Sequence, residues 1–360
     1  MKLVNRYILT HFRRFFILAL MAFVGLYLVV DFLEKVDNFS RNNAPAKLYI
    51  LYYLNTTPMV IVQIIPIAVL LAVFLTIGAL SRTNELTAMR SGGISLGHVA
   101  APLLGIALTI SICVMATSEL VVPRTSENAR HIYNIEVKGK QILDTIKGNM
   151  WFYNSGQLIH INFYDDPSQT LLGIIALKTD AQQQPLSRID AFQGKYIDDT
   201  WILKDATVRQ FDPNTGEPTS LERHARLPLE IDKTPEDFRL SQPHPEEMNI
   251  WQLHQLANTY QEEGFDNTRI KVDFFAKMAT PFACLVMAFF GIPFAIQRGR
   301  NSNLAMGIGL SIAFGFLFFM TQTVLQSFGY SQVLPPVVAA WGANVIFLLI
   351  GLWSLLSTRS

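Results

Sequence analysis

The chain has 360 residues, of which 50% are hydrophobic and 16% charged, with a mean hydropathy of +0.28. These values exclude both a disordered chain and an ordinary soluble domain. The net charge of +1 conceals a division, because residues 123–273 carry 16 basic and 23 acidic side chains and the remainder carries 13 and 5. We therefore expect an acidic polar block between two basic, apolar blocks.

Six apolar segments are long enough to cross a bilayer, which requires roughly 20 residues. They lie at 14–33, 58–80, 97–122, 274–297, 303–326 and 334–356. The first follows a basic stretch, as a signal peptide does, but its apolar run is too long and no small-residue cleavage pattern follows it. The predicted fold class is a polytopic α-helical membrane protein with three spans on either side of the polar block.

The distribution of Lys and Arg in the short flanks predicts the orientation of these spans. If the N-terminus is cytoplasmic, the outer loops hold only Lys35, Arg41 and Lys47. The cytoplasmic flanks then hold nine basic residues: Lys2, Arg6, Arg13, Arg14, Arg82, Arg90, Arg298, Arg300 and Arg359. Both termini are therefore predicted in the cytoplasm and the polar block outside it.

The polar block reads as β-strands separated by Asp-Pro and Gly turns, followed by a helical pattern between about 245 and 267. We predict three regions: spans one to three over 1–122, a β-rich domain with a connecting helix over 123–273, and spans four to six over 274–360. The cysteines, Cys113 and Cys284, both lie in apolar runs, so the β-rich domain is expected to fold without disulfides.

A search for catalytic motifs finds no phosphate-binding loop, metal-ligand spacing or hydrolase signature. We therefore predict no catalytic or metal-binding residue and no cofactor in this chain, and no nucleic-acid partner. Two other functional classes stay open from the residues alone. One is a membrane-anchored enzyme that acts on an envelope lipid, and the other is a scaffold or sensor that transports nothing.

Several charged residues are predicted to lie near the outer ends of the spans. One interpretation is that they anchor the helices at the interface by snorkelling. The other is that the cations border a site for an anionic amphiphile, whose phosphates favour Arg and Lys. The candidate substrate-binding residues are Arg130, Lys35, Arg124, Lys277, Arg41 and Lys47.

The cytoplasmic segment 81–95, "SRTNELTAMRSGGIS", is too long for a tight turn. It predicts a short helix from Glu85 to Ser91, with Asn84 as its N-cap and Gly92 and Gly93 at its end. Leu86 and Met89 would share one face. Glu85, Arg82 and Arg90 would be available to a partner protein, unless the segment is an ordinary amphipathic loop.

The order and spacing of several stretches resemble the LptF/LptG family of lipopolysaccharide-export permeases. The stretches are "NRYIL", "ELTAMRSGG", "ELVVPRTSENAR", "FFAKMATPFACLVMAFFGIPFAIQRGR", "SIAFGFLFFM" and "LPPVVAAW". The short tail after span six resembles the LptG branch. This resemblance implies a permease of the bacterial inner membrane that moves lipopolysaccharide toward the outer membrane, with a periplasmic β-jellyroll-like domain.

The resemblance also implies partners and residue roles. The partners would be a paralogous permease of the LptF type, an LptB-type ATPase dimer that binds ATP and Mg, and LptC-type and LptA-type bridge proteins. Glu85 would meet the ATPase, with Arg90 on the same segment, and Arg130 would lie near the lipid A phosphates. Lys35 is a weaker correspondence, because Asp31 stands where the family often has a lysine.

Overall fold

The computed structural model describes the chain except for residues 1, 43, 139–143, 147–148, 155, 166–167, 180–183, 213–216, 236, 239–244, 246, 263–265, 298–303 and 358–360. Three of the basic residues used to predict the orientation, Arg298, Arg300 and Arg359, therefore lie outside the described residues. The chain divides into two compact units, one formed by Met1–Ile132 with His244–Ser360 and the other by Tyr133–Pro243.

Six helices in the described part of the chain are long and apolar enough to cross a membrane, as the sequence predicts. They are α1 (Lys2–Arg41), α2 (Ala46–Arg82), α4 (Leu96–Leu120), α7 (Thr268–Gln297), α8 (Leu304–Tyr330) and α9 (Pro336–Ser357), and the short α3 (Glu85–Ser91) lies between α2 and α4. At 1.5 Å per residue, the 40 residues of α1 extend well beyond the roughly 30 Å of hydrocarbon.

The six spans are covered to very different degrees within the chain. In the most apolar stretch of each helix, 72% of α2 and 67% of α7 is buried, against 11% of α1 and 17% of α8. The core of this unit includes Val69 and Val73 of α2, Met287 and Phe290 of α7, and Phe347 of α9. Thus α2 and α7 form the centre of the bundle, and α1 and α8 present apolar surface outward.

The unit Tyr133–Pro243 contains a seven-stranded antiparallel sheet in which neighbours in the sequence are neighbours in space. Its strands are β1 (Asp144–Ile146), β2 (Asn149–Asn154), β3 (Gln157–Asp165), β4 (Thr170–Thr179), β5 (Pro185–Ile197), β6 (Thr200–Phe211) and β7 (Pro218–Leu229). The predicted β-rich insertion is confirmed. The consecutive pairing is that of a meander, and the β-jellyroll detail remains an expectation.

One face of the sheet carries an aromatic core. Trp201 is fully buried, packs with Tyr164 and Phe238, and donates its indole N–H to the Lys233 carbonyl at 2.7 Å. No cysteine lies in this unit, so its packing is held by apolar contacts and strand pairing.

Two further helices connect the membrane spans to the sheet: α5 (Val122–His131), which continues as a π-helical segment Ile132–Val137, and α6 (Ile250–Glu262). Both α5 and α6 belong to the unit that contains the spans. The compact β unit is therefore narrower than the interval 123–273 that the sequence analysis assigned to the polar domain.

Candidate functional sites

The short helix α3 has the bounds expected from the sequence. Asn84 occupies the predicted N-cap position, but it adopts a left-handed conformation with φ of 57° and its side chain makes no capping hydrogen bond among the described residues. The helix ends at Gly92, and Gly93 takes a φ of +86°, a backbone conformation that favours glycine.

The two sides of α3 have different environments. Leu86 is buried in the main core and Met89 packs against it, which fixes the apolar side of the helix to the bundle. Arg82 and Arg90 are exposed, and Glu85 is half-buried. The Tyr7 hydroxyl of α1 interacts with the Glu85 carboxylate, a contact that sequence analysis missed. The helix is therefore held to the bundle by Leu86 and Met89, and the segment exposes the charged side chains of Arg82 and Arg90.

The predicted substrate cation Lys35 is engaged by neighbouring side chains. Its ammonium donates to Asp31 Oδ1 at 2.7 Å and to the Tyr52 hydroxyl at 2.6 Å, and it lies 5.1 Å from the centre of the Tyr52 ring. Asp31 is buried. The carboxylate one turn earlier on α1 thus offsets the charge of Lys35.

A second group of charges surrounds the residues that lead into α6; we call Glu119, Arg130, Glu247 and Lys277 the linker cluster. Arg130 Nη1 donates to Glu247 Oε2 at 3.0 Å. Glu119 Oε2 accepts the backbone N–H of Ile250 at 2.9 Å and lies, through Oε1, 3.9 Å from the Lys277 ammonium. The same ammonium donates to the Met248 carbonyl.

The linker cluster joins two pairs of consecutive helices, α4 with α5 and α6 with α7, that are distant from each other in the sequence. Glu119 ends α4, Arg130 lies on α5, Lys277 lies on α7, and the stretch 247–250 leads into α6. Two of the predicted substrate cations, Arg130 and Lys277, are therefore brought to one short segment. Glu247 had no sequence signal that would distinguish it from the other acidic residues of the polar block.

The remaining predicted cations, Arg124, Arg41 and Lys47, are exposed to solvent. Lys35 lies in the α1–α2 pair described above, whereas Arg130 and Lys277 lie in the linker cluster. The six residues that the sequence grouped as one candidate site thus have three different environments: paired on α1, paired at the linker, and exposed.

A partly open apolar pocket of about 190 Å³ lies between α1, α2 and α4. Phe16 and Leu20 line it from α1, Ile65 from α2 and Cys113 from α4. Apolar side chains make up most of its lining, as in pockets that hold hydrocarbon groups. The space is therefore chemically suited to part of an acyl chain.

Comparison with known sequences decides the family. The profile described as "Lipopolysaccharide export system permease LptF/LptG" matches residues 6–357. The chain belongs to the LptF/LptG family. The resemblance drawn from the short motifs is thereby confirmed over nearly the whole chain.

The curated relatives of this LptF/LptG chain are LptG permeases. "Lipopolysaccharide export system permease protein LptG" of Haemophilus influenzae is 25% identical over 346 residues, covering 95% of this chain and 94% of the relative. The protein of the same name from Escherichia coli K12 is 22% identical over 338 residues, covering 94% and 92%. These matches agree with the LptG-like assignment from the C-terminal tail.

Proposed function

We propose that this chain is a permease subunit of an ATP-driven transporter that extracts lipopolysaccharide from the inner membrane and passes it to a periplasmic bridge. The match of the LptF/LptG family to residues 6–357 carries this proposal. The termini would be cytoplasmic and the β unit periplasmic. ATP and Mg would be bound by a partner ATPase, and this chain would perform no hydrolysis itself.

Helix α3 is the proposed contact with an LptB-type ATPase dimer. Its apolar side is held by Leu86, while Arg82, Arg90 and the partly exposed Glu85 remain accessible. A helix fixed on one side and charged on the other can transmit a movement of the ATPase to α2 and α4, which flank it. Tyr7 would extend this coupling to α1 through Glu85.

The outward surfaces of α1 and α8 support a lateral path for the lipid. Both helices expose most of their apolar stretch, as a surface that meets lipid or another membrane helix must. We propose that a paralogous, LptF-type permease completes the cavity, with lipopolysaccharide passing between span one of one permease and span five of the other. LptC-type and LptA-type proteins would form the bridge.

The phosphates of the lipid are proposed to meet the outer cations. Arg130 is the principal candidate, because an arginine can present several N–H groups to a phosphate. Lys277 lies in the same cluster, and the exposed Arg124 precedes Arg130 on α5. Lys35 contributes less, because Asp31 already offsets its charge. Arg41 and Lys47 would add long-range attraction for the anionic headgroup.

The test is reconstitution of this chain with the paralogous permease and the ATPase in proteoliposomes that contain lipopolysaccharide. We expect ATP-dependent release of the lipid to an LptA-type acceptor. Omission of this chain should abolish release, and release that persists without it would overturn the proposed function.

The coupling role of α3 is tested by Glu85→Arg, for which we expect loss of ATPase co-purification and at least tenfold slower release, as an unfavourable charge contact of about 1.4 kcal/mol or more implies. Glu230→Arg, at an exposed position of the β unit, is the matched control. An intact and fully active Glu85→Arg complex would refute this role.

A further inference from the structure

Arg130, the proposed contact for a lipid phosphate, forms an ion pair with Glu247. Only 18% of the Arg130 side chain and 14% of the Glu247 side chain are exposed, so the pair is largely shielded from water. In this structure the cation proposed to receive a lipid phosphate already holds an anion of the chain itself. A phosphate that reaches Arg130 must therefore share the guanidinium with Glu247 or displace it.

The chemistry of the two anions favours displacement. Among the described residues, Arg130 makes one side-chain hydrogen bond, from Nη1 to Glu247 Oε2. A guanidinium has five N–H donors and can bind a phosphate through two parallel hydrogen bonds. Two anions on one guanidinium also repel each other, more strongly where water does not screen them.

We propose that Glu247 is an internal competitor of the lipid phosphate for Arg130, and that the arriving phosphate displaces the Glu247 carboxylate while the turn before α6 stays in place. This inference rests on the proposed function, since the competing anion is a phosphate of lipopolysaccharide. Glu247 acts as a positioning residue: it occupies Arg130 when the site holds no lipid and is exchanged when the lipid arrives.

The contacts around the turn explain why the exchange stays local. Glu119 accepts the Ile250 N–H, and Lys277 donates to the Met248 carbonyl. Both contacts involve main-chain atoms and do not require Arg130. Glu247 can therefore leave Arg130 while α6 keeps its start. The exchange is therefore confined to the Glu247 side chain and the guanidinium that it leaves.

The experiment measures photocrosslinking of lipopolysaccharide in the assembled complex in nanodiscs, from a photoreactive residue at the exposed position Asn128. Glu247→Gln keeps the shape of the side chain but removes the competing charge. We expect its half-saturating lipid concentration to be roughly tenfold lower than that of the wild type. Glu230→Gln, at an exposed position of the β unit, removes a carboxylate outside this cluster and should leave the value unchanged. Equal values for Glu247→Gln and the wild type would overturn the proposal.

Exchanging the two charges of the ion pair tests whether Glu247 competes with the lipid phosphate or only supports the fold. The double variant Arg130→Glu with Glu247→Arg should regain the thermal stability that each single variant loses, because the ion pair is restored. It should not regain lipid crosslinking, because the cation has moved away from α5. Recovery of crosslinking would overturn the proposal. A wild-type complex that captures no lipopolysaccharide would instead contradict the proposed function.

Discussion

The inner spans α2 and α7 and the outer spans α1 and α8 share a composition but differ in environment. All four are apolar and long enough to cross a bilayer, yet most of α2 and α7 is covered by other parts of the chain and most of α1 and α8 is not. In α2 and α7 the apolar side chains hold this chain together. In α1 and α8 they are available to lipid and to a second membrane protein.

This difference shows what hydropathy can and cannot distinguish. An apolar residue is equally suited to a protein interior and to hydrocarbon, so association of spans depends on packing and interhelical hydrogen bonds. Within one helix the same division appears residue by residue. On α8, Phe318 is 1% exposed and Phe316, two positions earlier, is 68% exposed.

The largest expected effect comes from this pair of phenylalanines. Phe318 packs with the ring of Phe347 on α9, at 5.1 Å between ring centres. Phe318→Ala should lower the free energy of unfolding by about 3–5 kcal/mol, the usual loss when a buried Phe is truncated. Thermal unfolding of the purified chain in detergent measures this loss.

Phe316→Ala is the matched variant on the uncovered side of α8. It should leave the unfolding temperature of the isolated chain unchanged and reduce co-purification with the paralogous permease, because Phe316 lies on the surface proposed to meet that partner. Equal destabilisation by the two substitutions would show that α8 has no inner and outer side. Unaltered co-purification of Phe316→Ala would remove this residue from the proposed contact.

The features that could be predicted from the sequence are those that depend on local pattern. Apolar run length located all six spans, and turn residues located the sheet. The glycines after Ser91 located the end of α3. In each case the residues that give the sequence pattern are the same residues that form the element. The element can therefore be predicted without knowing which residues pack against it.

The candidate site was predicted less completely, because its geometry depends on contacts between distant residues. Glu247 is 117 positions from Arg130, and nothing in the order of residues pairs them. Tyr52 reaches Lys35 across the α1–α2 hairpin, and Tyr7 of α1 reaches Glu85 of α3, 78 positions later. The cations could therefore be found from the sequence, but their pairing with Glu247 and with the phenols of Tyr52 and Tyr7 could not.

A smaller effect is expected from one glycine in each kind of span, Gly291 and Gly309. A Cβ at Gly291 of α7 would lie 3.1 Å from Leu70 Cδ1 and 3.2 Å from Val73 Cγ1 of α2, whereas a Cβ at Gly309 of α8 would have no atom within 4 Å. Gly291→Leu should lower the free energy of unfolding by about 1–3 kcal/mol through overpacking. Gly309→Leu should not lower it, and guanidinium or thermal unfolding of both variants checks this. If Gly309→Leu proved as damaging as Gly291→Leu, α8 would be packed more closely than its exposure indicates.

The smallest effect concerns hydrogen bonds within the membrane. Ser111 of α4 is buried and donates its hydroxyl to the Pro281 carbonyl of α7 at 2.7 Å, a bond between helices. Ser327 of α8 is exposed and donates to the Thr323 carbonyl of its own helix at 2.9 Å. Interhelical hydrogen bonds in membrane proteins contribute about 0.6 kcal/mol on average, so Ser111→Ala should destabilise the chain by about that amount. Ser327→Ala should be neutral, because its bond is local and its hydroxyl does not join two helices. Unfolding titrations of the two alanine variants would resolve this difference in the free energy of unfolding. A larger loss for Ser327→Ala than for Ser111→Ala would show that the exposed side of α8 contributes more to stability than the interhelical bond of α4.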